Sequence, residues 1–156
     1  MAVIADMRKV AVEEGYIDEN ADAKVCQDIV LKALAESTLS RNVTIKGGVA
    51  MRGLSNDARR ATQDMDIDFI RYSLGDDSIM SFIDKINCLP NIRIEQYGEI
   101  EELRQQDYHG KRVFVRISDE SGDSIDSKID LGVHKKVKFP YCPLETVSKR
   151  FDSFVK

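Results

Sequence analysis

A mixed α/β domain is what this sequence predicts, and three observations predict it. Residues 21–38 carry apolar side chains at helical spacing. Residues 92–97 and 111–117 alternate apolar and polar, as half-buried strands do, and residues 119–124 form a turn between two strand-like runs. With 156 residues, 32% of them charged and 42% hydrophobic, the chain is sized for one soluble globular domain with a substantial core.

The elements follow in order. A first helix is expected over residues 3–14, stopping near Gly15. A second covers residues 21–38, where Val25, Ile29, Val30, Ala33 and Leu34 make one amphipathic face. Val43-Thr44-Ile45 is a short strand running into Gly47-Gly48. Residues 49–54 read as a helical turn, residues 55–57 as a loop and Asp66 to Arg71 as the next strand. Asp77 to Asn87 is a helix with Ile79, Phe82, Ile83 and Ile86 on one side, closed off by Pro90. Two alternating strands follow. The second, Lys111 to Ile117, turns at residues 119–124 and pairs as a hairpin with Ile125 through Val133. A last helix is expected over residues 145–155. The hairpin makes at least part of the sheet antiparallel. Phe69, Phe82, Phe114 and Phe151 occupy apolar positions and are assigned to the core.

Composition removes several function classes. No apolar run is long enough to span a membrane, and the N-terminus lacks a signal peptide's order of charge and apolarity. Cys26, Cys88 and Cys142 are scattered, without a CxxC pair, which argues against a disulfide framework and a zinc site and makes the cytoplasm the expected compartment. A net charge of −4 gives no global basic field for nucleic acid. Local basic clusters do occur at Arg59-Arg60 and across residues 134–138. His109 and His134 have no partnering nucleophile signature, so no catalytic triad is proposed.

The chemistry concentrates in Lys46-Gly47-Gly48-Val49-Ala50-Met51-Arg52 and in Arg60-Ala61-Thr62-Gln63-Asp64-Met65-Asp66-Ile67-Asp68. On a strand, side chains alternate between faces, so Asp64, Asp66 and Asp68 share one face and Met65, Ile67 and Phe69 the other. Carboxylates lined up in this way repel one another unless a cation joins them, and carboxylate oxygens suit Mg²⁺ or Mn²⁺. Glycines upstream let a backbone approach phosphates closely. The bland alternative is a charged strand edge that discourages aggregation. An EF-hand loop is excluded, because Phe69 stands where that loop needs glycine and Gly75 where it needs glutamate.

The run Lys46-Gly47-Gly48-Val49-Ala50-Met51, followed by Arg60-x-Thr62-x-Asp64-x-Asp66, resembles the AbiEii/AbiGii toxin family of the DNA polymerase β-type nucleotidyltransferase superfamily. Lys128-Ile129-Asp130-Leu131 and residues 144–150 also resemble it. Met51 stands where the family more often has leucine. The resemblance spans roughly residues 20 to 156, and the first motif pair carries most of its specificity.

The fold it implies is a nucleotidyltransferase core, an α/β (α+β) mixed sheet flanked by helices. The chain then reads as a single nucleotidyltransferase-like domain over residues 1–156, in a short form or truncated before the helical C-terminal region usual in relatives. The activity implied is Mg²⁺- or Mn²⁺-dependent transfer of a nucleoside monophosphate from an NTP to a hydroxyl acceptor, with tRNA or another RNA among the acceptors. A role in toxin–antitoxin pairs or phage defence, with a cognate antitoxin, goes with it. By the resemblance, Asp64 and Asp66 are metal ligands, and Asp130 is the third ligand or the general base. Lys46, Gly47, Gly48, Arg60, Thr62 and Lys149 are candidates for nucleotide or phosphate binding. Two other readings stay open: a catalytically silent nucleotide- or RNA-binding module, and a structural interaction domain whose carboxylates form a charged strand face.

Overall fold

A computed structural model describes residues 2–46, 65–105 and 108–133. Its elements are α1 (Val3–Glu13), α2 (Glu19–Glu36), β1 (Val43–Lys46), β2 (Met65–Phe69), α3 (Asp76–Ile86), β3 (Ile92–Gln105), β4 (Tyr108–Asp119) and β5 (Ser124–Val133). The elements expected over residues 49–57 and 145–155 lie outside the described residues.

Two helices take the form their periodicity predicts. In α1, Val3, Ile4, Met7 and Ala11 form the buried stripe, and Gly15, with φ 105°, adopts the left-handed conformation just past the helix end. In α3, Ile79, Phe82, Ile83 and Ile86 are buried, with Asp76 and Asp77 in the first turn and Lys85 in the last, complementing the helix dipole. Helix α2 departs from the expected single amphipathic face: every residue from Lys24 to Leu34 is buried. It packs against α1, α3 and β5 and so has several covered sides. Its buried charges meet partners on the same helix, Lys24 with Asp28 and Lys32 with Glu36, each one turn apart.

The described strands form a five-stranded sheet in the order β1-β2-β5-β4-β3. Only β2 and β5 pair in parallel; the other neighbours are antiparallel. Ile45, Ile67, Phe69, Leu131, Ile129, Val113, Val115, Ile117 and Ile94 line one face of the sheet. They join the helices in a single apolar core. Phe69 and Phe82 meet edge to face at 5.2 Å within it. Strand β2 ends at Phe69 rather than Arg71. Arg71 turns the chain with φ 55°, and Ile70 is fixed to Asn42 by reciprocal hydrogen bonds of 2.7 and 3.0 Å.

Strands β3 and β4 extend well beyond the predicted residues 92–97 and 111–117. Gly98 and the acidic run after it disfavour a strand in isolation. Pairing nonetheless continues past an irregularity between Tyr97 and Glu101, with Glu101 opposite Arg112 and Glu102 opposite Lys111. Backbone pairing with β4 supplies what local propensity does not.

Asp119, at the end of β4, docks the start of α1 onto the sheet. Its Oδ2 accepts a 2.9 Å hydrogen bond from the Ile4 N–H, and its Oδ1 accepts bonds from the Ser121 N–H and hydroxyl at 3.0 and 2.6 Å. The first N–H groups of a helix have no partner within it, so this carboxylate caps α1 from a distant strand. Burial works against the charged form, but the hydrogen bonds from Ser121, Ile4 and Asp123 prevail and hold Asp119 below its ordinary value of 3.8.

Because the folded-state pKa is lowered, the contribution is complete above the unfolded value and disappears as pH falls through 3.8 toward the folded one. Asp119→Asn is expected to destabilise the fold by about 1–2 kcal/mol at neutral pH. Urea unfolding midpoints of wild type and variant should converge as pH falls across that window. A constant gap would show that the charge is not the stabilising element.

Candidate functional site

The sheet's second face carries the polar side chains. Alternation puts Thr44 of β1, Asp66 and Asp68 of β2, and Asp126, Lys128 and Asp130 of β5 on it. Arg112, Phe114 and Arg116 of β4 and Tyr97 of β3 share the same face. Chemistry therefore has one face of the sheet and the core the other.

The parallel register pairs Asp66 with Asp130. Paired residues of adjacent strands point the same way and sit about 4.8 Å apart. Lys46 pairs with Asp66 from the other side, in β1, which leads directly into Gly47-Gly48. Asp66 is half-buried and Asp130 buried. Asp68, next along the face, is buried opposite Gly132. Two of the sequence-predicted carboxylates thus stand side by side in the middle of the sheet. Asp64, Gly47, Gly48, Arg60, Thr62 and Lys149 lie outside the described residues.

Arg112 was not singled out from sequence. It lies opposite Asp130 in the antiparallel β4–β5 pair and grips it bidentately, Nε donating to Oδ1 at 2.7 Å and Nη2 to Oδ2 at 3.1 Å. A signal for it existed. The β4–β5 turn closes with the Asp119 N–H donating to the Asp123 carbonyl, and counting back from that closure brings 112 opposite 130.

One turn of the pleat along, Phe114 pairs with Lys128, and Arg116 pairs with Asp126. Phe114 was assigned to the core; the structure places it half-buried on the polar face, since it alternates with the core residues Val113 and Val115. Its ring lies 5.9 Å from that of Tyr97, and the Arg116 guanidinium stands 5.1 Å over the Tyr97 ring. Arg116 also binds Asp126 bidentately at 2.7 and 3.1 Å, and those hydrogen bonds hold Asp126 below the usual carboxylate range.

The donor chemistry of Asp66 and Asp130 fits a hard divalent cation, which takes carboxylate oxygens and tolerates two from one protein face. Among the described residues no group of three histidine, cysteine or carboxylate side chains converges.

A sequence model of the family described as nucleotidyl transferase AbiEii toxin, type IV TA system, matches residues 29–148. The chain belongs to that family. No curated protein matches it. Among the described residues no helix is long and apolar enough to cross a membrane.

The Arg112–Asp130 pair is partly buried, with side-chain exposures of 25% and 12%, so its hydrogen bonds should register in stability. Arg112→Met and Asp130→Asn are each expected to destabilise the fold, and a double-mutant cycle should yield a coupling of about 0.5–3 kcal/mol. Additive effects in chemical denaturation would show the pair is not maintained in solution.

Proposed function

We propose that this AbiEii family member transfers a nucleoside monophosphate from an NTP to a hydroxyl acceptor, with release of pyrophosphate and dependence on Mg²⁺ or Mn²⁺. The observation that carries the reading is the pairing of Asp66 with Asp130 on the polar face, with Lys46 and the following diglycine at one flank. Asp64, Asp66 and Asp130 would hold the cation, which when bound neutralises phosphate charge and lowers the pKa of an attacking hydroxyl.

The remaining work falls to this chain's own groups. Gly47 and Gly48 allow backbone N–H groups to approach the triphosphate, with Lys46, Arg60, Thr62 and Lys149 as candidate phosphate contacts. As the third ligand or the general base, Asp130 would hold the cation or take the proton of the acceptor hydroxyl. Arg112 holds both of its oxygens, which fixes the carboxylate's orientation on the β5 side of Asp66. An RNA such as tRNA is the acceptor class this reading favours, and a cognate antitoxin is the partner expected from a type IV toxin–antitoxin family.

The Arg112 grip also favours a second reading. A carboxylate neutralised within the protein can be purely structural, in a silent nucleotide- or RNA-binding module of the same fold.

Calorimetric titration of each NTP with Mg²⁺ separates the two. Under the first reading one or more NTPs bind saturably in a metal-dependent way. Asp66→Asn abolishes that binding, and Asp130→Asn lowers pyrophosphate release by about 100-fold or more. A folded protein that binds no NTP, or whose Asp66→Asn variant binds as well as wild type, would reject nucleotidyl transfer at this pair.

A further inference from the structure

A half-buried aromatic pair on an otherwise charged sheet face is out of place. Side chains on such a face ordinarily gain by hydration, and Phe114 has no polar atom to hydrate. Phe114 and Tyr97 line a cavity of about 520 Å³ whose charged lining is Lys128 and the carboxylates Glu19, Asp22 and Asp126, of which Arg8 pairs with Asp22 and Arg116 with Asp126. Along β5 this stretch comes just before Asp130. Phe114–Lys128 is the same-face pair next to Arg112–Asp130, about 7 Å away along the strands.

The rings are held firmly. Tyr97 sits where β3 leaves its regular register, before Gly98 with φ 67°. The Gln96 side-chain amide donates to the Gly98 carbonyl at 2.6 Å, which fixes this irregularity. Arg116 covers the Tyr97 ring and is itself fixed by Asp126. The Tyr97 and Phe114 planes stand at 46° to each other, so Tyr97 buttresses Phe114 rather than stacking flat upon it.

We infer that Phe114, buttressed by Tyr97 and Arg116 and flanked by Lys128, is a stacking surface for a nucleobase of a single-stranded RNA acceptor. The chemistry is that of sequence-tolerant single-strand binding, in which an aromatic face takes a base and neighbouring cations take the backbone. The position selects the acceptor over the donor, given the proposed nucleotidyl transfer on which this inference rests. The triphosphate side of the carboxylates is the β1 side, where Lys46 leads into Gly47-Gly48. Phe114 and Tyr97 lie on the opposite, β4–β3 side. A hydroxyl arriving at Asp130 from that side brings its base to Phe114.

The test is fluorescence anisotropy of a short, labelled, single-stranded oligoribonucleotide of mixed sequence with a free 3′-hydroxyl, alongside calorimetry of NTP with Mg²⁺. Phe114→Leu retains apolar bulk without the ring. It is expected to weaken oligonucleotide binding about ten-fold, one stacked base being worth about 1–3 kcal/mol. Phe114→Tyr should bind within about two-fold of wild type, and NTP affinity should be unchanged in both variants. Equal oligonucleotide binding by wild type and Phe114→Leu would overturn the assignment, as would absence of binding by wild type. Loss of NTP affinity with RNA binding intact would also overturn it, giving the ring to the donor base. Oligonucleotide binding that depends on Phe114 without any metal-dependent NTP binding would leave the stacking surface standing and sink nucleotidyl transfer. The reverse pattern would do the opposite.

Discussion

The parallel pairing of β2 with β5 is the constraint on which the polar face depends. It is the one parallel contact in the described sheet, and its register sets Asp66 beside Asp130. Like charges set directly opposite each other on neighbouring strands are destabilising. A fold retains that repulsion only where something offsets it. Arg112 supplies one positive charge from β4, in a fork that matches the Asp130 carboxylate. A single guanidinium neutralises one of the two carboxylates.

The same pairing explains the division of labour between the two faces. All three described helices contribute to the core on one face, where Ile67 and Leu131 pair across β2 and β5. Packing is dense there: α2 is buried along its whole central span, and even Lys24, Asp28 and Lys32 are enclosed. Charges in such a layer must be matched inside the helix, which leaves little freedom for chemistry. The other face carries side chains of opposite sign at regular spacing on β4 and β5, and between them the two rings. Rigid strands backed by a full core position such groups better than loops would.

Much of this was legible in the sequence because alternation is a local property. Parity alone put Asp66 and Asp68 on one face and Ile67 and Phe69 on the other, and helical spacing located the buried side of α3. The hairpin turn at residues 119–124 was equally local. What escaped was non-local. That β2 joins β5 in parallel depends on a crossover containing α3, β3 and β4, and no residue pattern within either strand encodes it. The extension of β3 past Gly98 follows its pairing with β4 across the sheet, against the propensity of its own glutamates. Phe114 was misassigned because an aromatic residue on a strand usually reads as core, although its alternation with Val113 and Val115 already pointed it the other way. The single amphipathic face expected of α2 failed for the same reason, since elements distant in sequence cover its remaining sides.

Arg112 belongs to both halves of the polar face. On one side it grips Asp130; on the other it stands opposite Glu101 of β3, just beyond the irregularity that sets Tyr97 in place. Any group that drew Asp130 toward Asp66 would compete with this grip, and loosening it would shift charge toward the β3 edge where Tyr97 and Phe114 meet. The carboxylates lie on one cross-strand ladder, Glu101–Arg112–Asp130–Asp66, and the rings on the neighbouring same-face ladder, Tyr97–Phe114–Lys128.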